Sequence, residues 1–179
     1  MPPTFDPLPR AADRVVLRRL APRDLVRFQR YRTDPDVARY QGWAPMSDHE
    51  AVVFLGAMGA SPFCPPGEWF QIGIAEPQAD VLIGDVGLRL SKTRHEAEIG
   101  FTLAPAFQGR GLATDAVRAA LSLLFDTTPV ARIVAVTDAR NQPSIRLLER
   151  VGLQRVRTRN AMFHGGPCTE HVYAIMRVR

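Results

Sequence analysis

Residues Glu98 to Asp115, EIGFTLAPAFQGRGLATD, pass from a strand pattern through a loop with two glycines into a helix start. A helix start leaves its first N–H groups unpaired and carries about half a positive charge, so such a junction suits a phosphate. Gly109 and Gly111 permit positive φ and close approach of the backbone, and Arg110 adds a guanidinium to the same nest. The chemistry predicted is the cradling of a pyrophosphate; a plain turn with two glycines is the alternative. GxGxxG is absent and no GK[ST] follows, so neither the dinucleotide fingerprint nor the P-loop applies. Glu98, on the strand entering the cradle, points to the face opposite Ile99. Glu96 shares its parity, so two carboxylates stand on that face of the strand; a solvated strand position is the other reading of Glu98.

The elements that must place these groups follow from period and punctuation. Residues 14–20 form a first strand, Pro22-Arg23-Asp24 opens a helix to about Arg32, and a short helix carries Val37 to Tyr40. Ser47-Asp48-His49-Glu50 is a capping box that starts a helix through about Met58. Three strands follow, Trp69 to Ala75, Val81 to Leu90 and Glu96 to Leu103, with Trp69 assigned to the core. A helix runs from about Ala113 to Phe125, a β-branched strand from Arg132 to Thr137, and a helix from Pro143 to Val151, closed by Gly152. Strands Leu153 to Phe163 and Glu170 to Met176 end the chain, joined through Gly165-Gly166-Pro167. The fold class is α/β (α+β): residues 1–179 read as a single domain with a mixed, mostly antiparallel sheet of about seven strands and helices on both faces.

The chain has 179 residues, 46% apolar and 23% charged, long enough to hold a core without metal or disulfide. The longest apolar run, Ala51 to Ala60, is about half of the roughly 20 residues a membrane span needs. Residues 1–10 show no secretory leader, which makes the cytoplasm the expected compartment. Cys64 and Cys168 read as free thiols. Cys168 between His164 and His171 imitates a metal cluster but lacks a fourth ligand, so no metal is expected. His164-Gly165-Gly166 looks like an esterase oxyanion loop, yet no GxSxG accompanies it. The net charge of +5 is concentrated between Arg10 and Arg39, nine Arg against four acids. Coding bias is one reading of this arginine excess, and an RNA or ribosome contact through Arg18, Arg19, Arg23, Arg27 and Arg30 is the other.

Gln108-Gly109-Arg110-Gly111-Leu112-Ala113 is similar to the Q/R-x-x-G-x-G/A signature of the GNAT superfamily of acyl-CoA-dependent N-acyltransferases. Ile83 to Leu88, Glu96 to Phe101, Asn141-Gln142-Pro143-Ser144 and Glu149 to Leu153 extend the likeness. Leu17 to Leu20, Asp24 and Asp34 to Tyr40 resemble the branch containing the ribosomal-protein N-terminal acetyltransferases. The resemblance implies acetyl-CoA, or another acyl-CoA such as succinyl-CoA, as co-substrate, attacked directly by an amine in a ternary complex. A primary amine has a pKa of about 10.4 in Lys and roughly 7.7–8.0 as an α-amine, so it must be made neutral before it can attack. Glu98 is the first candidate for that base, acting through water, with Glu96 in reserve. It implies that Gln108, Gly109, Arg110, Gly111, Leu112, Ala113 and Thr114 hold the pyrophosphate through main-chain N–H groups. Phe101, Thr102 and Leu103 would offer main-chain bonds to pantetheine, and a backbone N–H there would stabilise the oxyanion. Asn141 would touch pantetheine, and Ser144 would give a proton to the departing thiolate; a helix cap is the other reading of Ser144. The sheet would split between the fourth and fifth of the expected strands. The family's common acid, a Tyr shortly after Gly-Phe, is missing, since Leu153 replaces Phe and the next Tyr is Tyr173; Arg150 to Thr169 holds no Asp or Glu. Tyr40 and Trp43 are expected in the loop over the acceptor cleft, and the acceptor, a protein N-terminus or a small molecule, stays open. So does the choice between monomer and homodimer, while non-catalytic acyl-CoA binding is the competing class of function.

Overall fold

The alternation along the middle of the chain sets the architecture. In the computed structural model, which describes residues 6–178, the strands are β1 (Arg10–Ala11), β2 (Val16–Arg19), β3 (Trp69–Ala75), β4 (Leu82–Leu90), β5 (Glu96–Leu103), β6 (Arg132–Asp138), β7 (Gln154–Phe163) and β8 (Gly166–Met176). The helices are α1 (Leu25–Arg32), α2 (Pro35–Ala38), α3 (Asp48–Ala60), α4 (Leu112–Thr127) and α5 (Gln142–Arg150). Half of the proline-rich start in which no leader was read, residues 1–5, lies outside the described residues, as does Arg179.

The strands form one sheet in the order β1-β2-β3-β4-β5-β6-β8-β7, antiparallel throughout except for β5 beside β6. Among the described residues there are eight strands where about seven were expected. The addition is β1, whose two residues pair Arg10 with Leu17 and Ala11 with Val16. Two residues among prolines carry no readable alternation. The last hairpin is also tighter than expected. His164 and Gly165 turn it with φ of +49° and +76°, so Gly166 already pairs with Phe163.

One face of the sheet, carrying Ile72, Ile74, Val86, Leu88, Ala97 and Ile99, packs under α4 and α5 in the main core. The opposite face is covered over part of its width by α1 and α3, where Phe28, Tyr31, Ala51 and Leu55 meet Leu20 and Leu82. The capping box of α3 forms as expected. The Ser47 amide donates to the Glu50 carboxylate at 2.8 Å and the Glu50 amide to the Ser47 hydroxyl at 3.3 Å. A single 3₁₀ turn, Pro22–Asp24, precedes α1, and its buried Asp24 carboxylate accepts from the Ala21 amide at 2.9 Å and from both Nη atoms of Arg18.

Trp69 is not in the core. At the start of β3 it is 41% exposed, with the Arg89 guanidinium 5.7 Å from its ring. The five arginines read as an RNA contact are not a free patch either. Arg18 is buried against Asp24 and Asp80, Arg19 pairs with Asp6 at 2.7 Å, and Arg23 pairs with Asp80. Local charge counting overlooks acids that the fold brings from 57 and 62 positions away; among the described residues, only Arg27 and Arg30 of the five stand without an ion pair. No helix among the described residues is long and apolar enough to cross a membrane.

Candidate active site

Two features of the backbone define an opening. The first is the end of β5. It pairs with β6 only across Glu96–Glu98 and Arg132–Val134, and from Ile99 to Leu103 no strand among the described residues lies on that side. The register turns the peptide groups of Phe101 and Leu103 toward this gap, while Thr102 is buried and pairs with Asp85 of β4. Two glutamines cap the exposed carbonyls. Gln41 Nε2 donates to Phe101 O at 3.3 Å, and Gln108 Nε2 donates to Leu103 O at 2.9 Å.

The second feature is the loop into α4. Gly109 and Gly111 both adopt positive φ, +73° and +78°, and Gly111 caps α4 without a side chain. The first amide of the helix to find an acceptor is Asp115, bonded to Gly111 O at 3.2 Å. Among the described residues no hydrogen bond takes up the amides of Gly109, Arg110, Gly111, Leu112, Ala113 and Thr114. That array is a nest for an anion.

Arg14, which the sequence reading did not single out, supports it. Its Nε donates to buried Asp115 at 2.8 Å and its Nη1 to Arg110 O at 2.7 Å. A Cβ on Gly111 would lie 2.7 Å from its Nη2, so Arg14 would have to move aside, and the φ of +78° itself favours glycine. Arg110 itself lies over the Phe107 ring, 5.8 Å away.

At the head of α5 the cap is Asn141, whose Oδ1 accepts from the Ser144 amide at 3.3 Å. The helix therefore starts one residue earlier than expected and is not capped by Ser144. The Ser144 hydroxyl has no hydrogen-bond partner among the described residues.

Glu98 sits in one cross-sheet row with Arg89 and Trp69. Burial raises its pKa above the ordinary Glu value; the charges of Arg89 and Arg159 oppose the rise, and those of Glu96 and Glu170 add to it. Glu96, the reserve, is bound to Arg132 at 2.7 Å. That leaves Glu98 as the carboxylate of this pair without a salt bridge.

The α2–α3 loop and the β7–β8 hairpin bound the same side of the sheet. Trp43 covers the Arg32 guanidinium at 4.3 Å, which has Phe28 at 4.3 Å, so this loop is pinned to α1. Tyr40 and Cys168 both lie within electrostatic reach of Arg140, whose two bonds to Asp138 hold that carboxyl below the usual range. Asp138, Arg140, Asn160 and Cys168 line a cavity of about 550 Å³ there. Burial pushes the other thiol, Cys64, up to about 11, so it is no nucleophile. Tyr173 cannot stand in for the missing family acid: it is buried under α5 and donates to Glu149 at 3.1 Å. His171 is engaged by Thr158 at 3.0 Å and Arg155 at 3.3 Å.

Unpaired amides beside an open strand edge are what a pyrophosphate and an amide-bearing arm require, so the residues present fit a coenzyme A thioester. Comparison with known proteins agrees. Residues 14–154 match the acetyltransferase (GNAT) domain family, and the chain belongs to that family. It is 28% identical over 170 residues to the N-acetyltransferase YoaA of Bacillus subtilis, a protein described as uncharacterized, covering 93% of this chain and 96% of that one. A protein named putative ribosomal N-acetyltransferase YdaF, also of Bacillus subtilis, is 29% identical over 94 residues, 51% of this chain and 51% of that one. Among solved structures, a GNAT-family acetyltransferase from Bacillus anthracis superposes with a TM-score of 0.81 at 24% identity, over 93% of this chain and 97% of that one. The microcin C7 self-immunity acetyltransferase MccE, solved with acetyl-CoA and AMP, gives 0.78 at 16% identity, over 92% and 93%. The chain is thus an acyl-CoA-dependent N-acetyltransferase with acetyl-CoA or another acyl-CoA as its co-substrate.

Proposed function

We propose that this protein moves an acetyl group from acetyl-CoA to a primary amine by direct attack in a ternary complex, with residues 1–179 acting as one catalytic unit in the cytoplasm. The observation that carries the reading is the uninterrupted run of unpaired amides from Gly109 to Thr114 beside the open edge of β5. Acetyl-CoA, when bound, supplies an acyl carbon already activated as a thioester. The amides of residues 109–114 hold its pyrophosphate with Arg14 and Arg110 adding positive charge, and Gln108 keeps the loop tied to Leu103. Asn141 orders the head of α5 beside the arm.

Glu98 takes a proton from the incoming ammonium through water, and its raised pKa brings it nearer to the amine it must deprotonate. An N–H on the open edge of β5 stabilises the oxygen that becomes negative. Ser144, with its hydroxyl free, gives a proton to the sulfur that leaves and is reprotonated by the second proton that the acylated nitrogen gives up. Tyr40 and Trp43 belong to the loop that closes over the acceptor. A succinyl donor is the nearest variant of this chemistry, and Arg residues bordering the acceptor side would receive its carboxylate. An RNA or ribosome contact would rest on Arg27 and Arg30 and not on the whole basic stretch.

Acetyl-CoA binding by calorimetry, followed by thiol release over an amine panel with acetyl- and succinyl-CoA, tests the proposal. A Kd below millimolar and acceptor-dependent thiol release are expected. Binding without transfer to any amine would leave a non-catalytic acyl-CoA module instead.

A further inference from the structure

The acceptor side of the sheet contains a recess that the mechanism above does not use. Gln71 of β3, Gly87 of β4 and Gly100 of β5 are direct neighbours across the sheet and form one row on this face. The row on one side, Gly73–Asp85–Thr102, is covered by α1, with the Tyr31 hydroxyl donating to Asp85. The row on the other side is Trp69–Arg89–Glu98. With two glycines, the middle row leaves a trough whose one side chain is Gln71. That side chain lies over Gly87, where an added Cβ would meet its Nε2 at 2.9 Å and its Oε1 at 3.1 Å. At Gly100 an added Cβ would meet nothing within 4 Å. The space above Gly100 is therefore open, and Glu98 lies two residues, roughly 7 Å, along the same strand.

The Gln71 carboxamide makes no hydrogen bond among the described residues, and its Oε1 is buried without a partner. An orphaned buried acceptor costs about 1–3 kcal/mol in general, and a turn of the carboxamide from Gly87 toward the open space over Gly100 brings Oε1 within reach of a donor from outside the chain. A carboxamide offers one donor side and one acceptor, the complement of another amide. The charges nearby are of mixed sign, Arg89 and Arg159 against Glu98 and Glu170. This does not suit a polycation, which would need several unopposed carboxylates.

We propose that Gln71 is a specificity-determining residue: over the Gly87–Gly100 trough its carboxamide pairs with an amide group adjacent to the reacting amine, presenting that amine to Glu98. The acceptor class this selects is an α-amino amide, the unit at the start of any peptide. The proposal rests on the acetyl-transfer reading above.

The test compares alaninamide with 3-methyl-2-butylamine, the same shape without the amide, using wild type and Gln71→Leu. Each acceptor is read as the ratio of variant to wild type, which cancels the different pKa values of the two amines. For alaninamide, kcat/KM should fall about 10- to 100-fold, chiefly through KM. For the plain amine, kcat/KM should stay within about twofold, as should the acetyl-CoA Kd. Tm should hold or rise, because the orphaned acceptor has been removed. Equal losses for both acceptors, no loss for either, or a lowered Tm with weakened acetyl-CoA binding would overturn the assignment and leave Gln71 a packing residue. A wild-type enzyme that binds acetyl-CoA yet acetylates neither amine overturns it too while sparing the transferase reading. Absence of acetyl-CoA binding removes both.

Discussion

Glu98 and Gly111 carry the most at the scale of single residues. Glu98→Gln keeps the shape and removes the base, so kcat/KM is expected to fall by roughly 10²–10⁴. The loss should shrink as pH rises through the amine's own pKa, where neutral amine arrives unaided. Stability moves the other way. Folding raises the Glu98 pKa above its reference value of 4.5, so the acid form is the one folding favours. That contribution is full below the unfolded pKa and lost as pH rises through the folded one. Thermal unfolding should therefore show Glu98→Gln with a higher Tm than wild type at neutral pH and no difference near pH 4. Gly111→Val places a branched side chain at φ +78° against Arg14 and into the nest. Acetyl-CoA binding, followed by calorimetry, should be abolished while circular dichroism stays native; normal binding would show that the phosphate lies elsewhere.

The element that most needs separating into structural and functional parts is α5. Asn141 accepts from the Ser144 amide, and losing such a cap costs about 1 kcal/mol. Asn141→Ala should lower both Tm and acetyl-CoA affinity. Asn141→Ser restores a capping oxygen, so its Tm should recover while its affinity for acetyl-CoA stays weakened, the sign of a contact with the arm beyond the cap. Recovery of both would reduce Asn141 to a cap.

For the whole molecule, the decisive interaction is the buried Arg18–Asp24 pair, extended by Asp80. It ties β2 to the turn before α1 and to the β3–β4 connection, and thereby holds α1 over the sheet. Breaking such a pair by removing one partner costs about 3–5 kcal/mol, because the remaining charge is left buried. Arg18→Ala should show this in urea unfolding. It should leave any RNA affinity unchanged, since the guanidinium is already enclosed by acids.

The sequence by itself determined whatever depends on neighbours along the chain. The nest at 109–114 follows from two glycines before an amphipathic helix, the capping box from Ser47 and Glu50, and the strands of the meander from their alternation; Gln108, expected in the nest, instead donates its amide to Pro105 O at 3.1 Å. Each is a local preference, decided within one or two turns of backbone. What tertiary structure alone decided are pairings between distant positions: Arg14 against Asp115, 101 residues on, the acids that enclose Arg18 and Arg23, the exposure of Trp69, the two-residue β1, and the Gln71–Gly87–Gly100 row. These depend on strand register and on which helix covers which row. Register is set by burying the whole apolar face at once, so no single segment reveals it.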